Sequence, residues 1–134
     1  MGFRFDTEVR VRYRDLDTLE HVNNALYATY LEEARFRYFE HVLGVSLEEG
    51  GAVLANLTID FARPVTRSEE TVRIACGATE VGDSSVRMGY RVYPGGGDET
   101  VATAETVVVA VEEGTSREIP QAWRTRFSEF EPEL

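Results

Sequence analysis

One helical period followed by four strand-length runs, all joined by short links, is what most limits the architecture open to this chain. From Asn24 to Leu43 the apolar residues Tyr27, Tyr30, Leu31, Ala34, Tyr38 and Val42 recur at the spacing of an α-helix. Phe36, Phe39 and Leu43 widen that stripe, so the helix is expected to be buried on most sides, with Gly44 as its C-terminal cap. The runs Val53–Phe61, Thr71–Thr79, Ser85–Tyr93 and Thr100–Val111 then read as strands; Val86, Met88, Tyr90 and Val92 alternate with Arg87, Gly89 and Arg91. Upstream, Val9, Val11 and Tyr13 alternate with Arg10, Arg12 and Arg14, which gives a fifth strand with one buried face.

Turn signals separate these runs: Glu48 to Gly51, Pro64 to Glu70, Gly82-Asp83, and Pro94-Gly95-Gly96-Gly97-Asp98. Links this short predict antiparallel pairing of consecutive strands. The expectation is an α+β fold, a five-stranded antiparallel sheet wrapped around one long helix, with residues 1–134 forming a single domain. Ile119-Pro120-Gln121 opens a short C-terminal helix, and the tail from Glu129 to Leu134 is expected to fray.

Charge narrows the choice of partners. The net charge is −10, and all 14 basic residues are arginine, with no lysine. Nucleic acid and anionic membrane both demand a basic footprint, so neither is expected as a partner. No apolar run approaches a membrane span, and the opening residues Met1 to Asp6 lack the hydrophobic core of a signal peptide, which predicts a cytoplasmic protein. The lone Cys76 reads as a small buried hydrophobe; with one cysteine and two histidines, no protein-held metal is expected. So acidic a surface suits a salt-rich cytoplasm, where ions screen its self-repulsion.

The chemistry concentrates just before the helix. Asp15, Asp17, His21, Asn23 and Asn24 crowd a short segment leading into it. Unpaired N–H groups and the positive dipole end at a helix start can hold developing negative charge, which acyl transfer needs beside a base or nucleophile. Asp17 is either such a group or a cap that accepts backbone N–H bonds. Asp15, two residues earlier, reads as structural.

Asp17-x-x-x-His21-Val22-Asn23-Asn24-x-x-Tyr27, followed by Leu31-Glu32-Glu33-Ala34-Arg35, resembles the motif of hotdog-fold acyl-CoA thioesterases. It is similar to the 4-hydroxybenzoyl-CoA thioesterase family and its long-chain relatives, and its His-Val-Asn-Asn run is similar to plant acyl-carrier-protein thioesterases. Ile59-Asp60-Phe61-x-Arg63-Pro64 agrees as well. The resemblance implies a hotdog fold and hydrolysis of an acyl thioester, carried by CoA or by an acyl carrier protein, to a carboxylic acid, with no cofactor beyond the substrate's own CoA. It implies Asp17 as nucleophile or general base, His21 as a catalytic partner, and Asn24 as the residue whose backbone N–H polarises the carbonyl.

Glu32, placed by spacing beside Tyr27 and Tyr30, is implied as a further carboxylate at the acyl end, or else as an ion-pair partner of Arg35 or Arg63. Tyr27, Tyr30 and Phe61 read as core or channel lining, and Arg63, Arg67 and Arg91 as phosphate contacts. The chain departs from the pattern at Leu19 and Pro64, where the plant enzymes carry Asn and an acidic residue, and at Glu20, where many relatives carry Gly. The family's assembly implies a homodimer or a dimer of dimers. Two alternatives stand beside hydrolysis: a hotdog hydratase or dehydratase, whose Asp–His spacing and Asn-Pro pair this chain lacks, and a non-catalytic acyl-CoA-binding module.

Overall fold

The computed structural model describes residues 2–134, so Met1 of the opening segment lies outside it. In chain order the elements are β1 (Phe5–Arg10), a 3-10 turn (Tyr13–Asp15), α1 (Leu26–Leu43), a 3-10 turn (Leu47–Glu49), β2 (Ala52–Phe61), β3 (Thr71–Val81), β4 (Ser85–Pro94), β5 (Ala102–Glu112), β6 (Thr115–Ser116) and α2 (Gln121–Phe130). The five long strands form one antiparallel sheet in the order β1-β3-β4-β5-β2, and the two-residue β6 pairs with β5. With α1 against this sheet, the arrangement is the hotdog fold that the resemblance implies.

Three expectations are corrected. Consecutive strands do not all pair: β2 lies beside β5, and β3 takes β1 and β4 as neighbours. The 62–70 link is therefore no hairpin. Its backbone docks on the loop before α1, with the Val22 N–H donating to Val65 O at 2.8 Å and the Arg67 N–H to Glu20 O at 3.2 Å.

The first strand ends at Arg10, short of Tyr13. There Asp15 accepts the Arg12 N–H at 2.9 Å, and the Asp15 N–H donates to Arg12 O at 2.9 Å, winding the chain into a 3-10 turn. Nor is α1 buried on most sides. Tyr27, Tyr30, Leu31, Ala34, Tyr38, Phe39 and Val42 face the core, while Glu32, Arg37 and Glu40 face outward. At about 100° per residue, Glu32 points nearly opposite to Tyr30.

The helix closes as expected, with Gly44 at φ 71° and its N–H on Glu40 O at 3.0 Å. Arg35 lies buried among the core residues, with Nη1 3.4 Å from the Tyr90 hydroxyl.

α2 covers the far end of α1. Phe39 meets Trp123 nearly perpendicular, with ring centroids 5.8 Å apart, and Tyr38 stacks on Phe127 at 6.4 Å. The tail is anchored: the Tyr38 hydroxyl donates to Glu131 Oε2 at 2.6 Å and accepts the Ala78 N–H at 3.1 Å. That N–H lies beside a register shift in β3 between Ala78 and Glu80, so Tyr38 satisfies a donor next to the bulge. Gly77 leaves room for the carboxylate, since a Cβ there would lie 2.5 Å from Glu131 Oε2. Cys76 is fully buried, and burial pushes its thiol up to about 12, which keeps it a protonated core residue.

β2 is an edge strand exposed along much of its length, with Val53, Leu54 and Phe61 all largely solvent-facing. Among the described residues no helix is long and apolar enough to cross a membrane.

Candidate active site

Asp17 opens a tight loop that closes on itself. Its N–H donates to His21 O at 2.7 Å, and the Glu20 N–H donates back to Asp17 O at 3.0 Å. Its side chain completes the turn, since Oδ1 accepts from the Leu19 N–H at 2.8 Å and the His21 N–H at 3.1 Å. Asp17 thus does cap its loop, and the same bonds fix the carboxylate plane while Oδ2 takes no partner among the described residues. Glu20 adopts φ 60°, a left-handed conformation natural to glycine, the residue the resemblance leads one to expect here.

Two bridges brace this loop, one across its own base and one to the 62–70 link. Leu16 and Val22 form one bridge, and His21 pairs with Thr66 of the 62–70 link in another. Below it, Asp15 is buried, accepting the Tyr30 hydroxyl at 2.6 Å through Oδ2. Burial by itself would raise the Asp15 carboxyl, but the bonds from Tyr30 and Arg12 outweigh it and hold the pKa below the ordinary carboxylate value. The Tyr30 phenol is raised, first by burial and then by its bond to Asp15.

The chain enters α1 through Asn23 and Asn24. Asn23 O accepts the Leu26 N–H at 2.8 Å, and its Oδ1 accepts the Ala25 N–H at 3.0 Å. The helix proper starts at Leu26, two residues later than the sequence suggests, because Asn23 and Asn24 form the lead-in turn. The Asn24 N–H donates to no group among the described residues, and Asn24 itself is exposed.

These pieces line one open cleft of about 480 Å³, bounded by Asp17, His21, Asn24, Phe61, Arg63 and Pro64. Of the three aromatics that read as core or channel lining, Phe61 is the one that walls this cleft. Tyr27 lies buried behind it, edge-on to Phe61 with centroids 4.9 Å apart. Burial raises the Tyr27 phenol, partly offset by the Val65 backbone N–H.

The remaining candidates scatter. Arg63 reaches the cleft but is held by two carboxylates, Glu99 on Nε and Glu69 on Nη1 at 3.1 Å, neither visible from sequence spacing. Arg67 does not line this cleft and lies 3.3 Å from Glu20 Oε1. Glu32 stands away from the cleft and, among the described residues, pairs with neither Arg35 nor Arg63. Arg91 is exposed on β4 and does not line the cleft.

Comparison with known proteins gives a consistent picture. The profile of the thioesterase-like superfamily matches residues 11–134. A thioesterase from Thermus thermophilus, solved with coenzyme A and zinc, superposes with a TM-score of 0.88 at 38% identity, covering 98% of this chain and 96% of that one. YsmA of Bacillus subtilis strain 168 is 34% identical over 90 residues, 66% of this chain and 60% of YsmA. The long-chain acyl-CoA thioesterase FadM of Escherichia coli K12 is 35% identical over 66 residues, 47% of this chain and 50% of FadM. The chain thus spans between half and three fifths of the length of these two relatives.

Proposed function

The chain belongs to the thioesterase-like superfamily, and from that premise we propose that it hydrolyses acyl-CoA thioesters to a carboxylic acid and CoA. The observation that carries this reading is the meeting of Asp17, His21 and the unengaged Asn24 N–H in one cleft at the start of α1. A thioester carbonyl placed there would have its oxygen at the Asn24 N–H, where the N-terminal end of the helix favours developing negative charge. One such donor is typically worth about 3 kcal/mol to a transition state.

In this reading Asp17 acts through Oδ2 in one of two ways. As general base it takes a proton from water, whose oxygen adds to the carbonyl carbon, and collapse of the tetrahedral species breaks the C–S bond. As nucleophile it forms an acyl anhydride, expelling thiolate, and water then releases the acid. His21 supplies the proton that the leaving sulfur needs. The Thermus relative was solved with zinc; the two routes use Asp17, His21, the Asn24 N–H and water.

Assembly belongs to the same proposal. The exposed apolar edge of β2 supports a homodimer formed across that strand, with a tetramer as a further step. Phe61 ends β2 and lines the cleft, so a partner on this edge would stand beside the reaction. A cytoplasmic setting, with salt screening the acidic surface, completes the proposal.

The test is thiol release from acyl-CoAs ranging from acetyl to palmitoyl, with benzoyl and phenylacetyl added, in high salt. Turnover on some member of the series is the expected result. Saturable binding with no thiol released from any of them would replace hydrolysis with a binding role, and loss of enoyl absorbance from crotonyl-CoA, added to the series, without thiol release would indicate a hydratase.

A further inference from the structure

A second cleft, of about 510 Å³, borders the Asp17–His21 loop and is lined by Arg10, Arg12, Tyr13, Leu16, Arg67 and Glu70 among others. It stands out against the rest of the molecule. Three arginines face one carboxylate here, in a chain whose net charge is −10. Arg10 makes no ion pair among the described residues, and Arg12 and Arg67 are only lightly engaged, at 3.5 Å from Asp15 and 3.3 Å from Glu20.

Tyr13 is 76% exposed, the most exposed of the large hydrophobic residues described. The Arg67 guanidinium sits over its ring, 5.2 Å from the centroid, so ring and cation are held as one platform with aromatic surface still open to solvent. The 3-10 turn that ends β1 early is what lifts Tyr13 out of the sheet into this position. A ligand that satisfies all of this is polyanionic and carries a flat ring.

We propose that this cleft binds the phosphorylated adenosine end of a CoA thioester, with the base stacked on Tyr13 and the phosphates on Arg10, Arg12 and Arg67. The assignment rests on the thioesterase reading and deepens it. The cleft adjoins the candidate active site through consecutive residues, Leu16 next to Asp17 and Arg67 next to the Thr66 that bridges to His21. A thioester in the first cleft could therefore send its pantetheine arm around the loop into the second. The same cluster separates two carriers: a thioester borne on a carrier protein has one phosphate and no adenine, so it would leave the Tyr13 platform unused. Arginine suits the task, because its planar fork contacts phosphate through two parallel N–H groups.

The test measures binding of adenosine 3′,5′-bisphosphate by calorimetry, with inorganic pyrophosphate as the comparison, to wild type, Arg10→Ala, Arg67→Ala and Tyr13→Ala. All three positions are solvent-exposed, and a thermal melt checks that each variant folds. The expected result is bisphosphate binding that weakens roughly tenfold with each arginine lost and also weakens in Tyr13→Ala, while pyrophosphate is indifferent to Tyr13. Bisphosphate binding unchanged in all three variants, or no binding to wild type, would overturn the site. Equal affinity for pyrophosphate would overturn its adenine half. Because the probe has no thioester, the two readings fail separately. Binding of this pattern without thiol release from any acyl-CoA would keep the site and sink the hydrolase, whereas equally efficient hydrolysis of acyl-CoA and acyl-pantetheine would do the reverse.

Discussion

The Tyr30 hydroxyl donates a 2.6 Å hydrogen bond to Asp15 Oδ2, and through it the second turn of α1 holds the floor of the loop that carries Asp17. Both groups are buried. Tyr30→Phe would leave a buried carboxylate short of a donor, at a cost of about 1–3 kcal/mol. The expected result is a lower denaturation midpoint in urea with an unchanged slope; an unaltered midpoint would show the bond to be worth nothing.

The same carboxyl links stability to acid. Its pKa is lower in the folded chain than in the unfolded one, so its contribution is complete above the unfolded value near 3.8 and is lost as pH falls through the lower folded value. Asp15→Asn should therefore flatten the fall in stability below about pH 4. Melting curves between about pH 2.5 and 6 measure it, and parallel profiles for the two proteins would contradict the assignment.

Asp17→Asn keeps an oxygen to accept the Leu19 and His21 N–H groups but removes the charge. Thiol release should fall by roughly a hundredfold or more, the scale of a lost acid–base group, with the melting temperature nearly constant. Full activity in this variant would move the chemistry elsewhere in the cleft.

Glu20 tests the backbone. At φ 60° a β-branched side chain clashes, so Glu20→Val should cost about 1–2 kcal/mol, whereas Glu20→Gly should be tolerated. If both variants melt alike, the loop is free to relax.

Charge and the β2 edge make two solution predictions. The melting temperature should rise with molar potassium chloride as salt screens the net charge of −10. Val53→Asp, on the exposed strand edge, should shift the light-scattering mass toward 15.1 kDa. A wild type already at that mass would remove the dimer from the proposal.

Sequence reading succeeds here where signals are local. Tyr27 to Val42 at helical spacing and Gly44 beyond them mark α1 to within two residues at its start, and the alternation from Val86 to Val92 marks β4. It fails where the outcome depends on distant partners. Nothing near β2 says that it pairs with β5, because the bonds that divert the 62–70 link are made with Glu20 and Val22, about forty residues upstream. Val9, Val11 and Tyr13 alternate as a strand would, yet a single carboxylate, Asp15, turns the chain after Arg10. In the cleft, Asp17, His21 and Asn24 are legible because one loop carries them all; Glu69 and Glu99 on Arg63 are not, because separate segments bring them there.

The Tyr38 hydroxyl, shared between the Ala78 N–H and Glu131, gives the fold a timetable. During synthesis the helix and all five long strands emerge before Glu131 does, so until then the tyrosine has only half its partners. The nascent chain can collapse early, but this buried junction closes only when Glu131 leaves the ribosome.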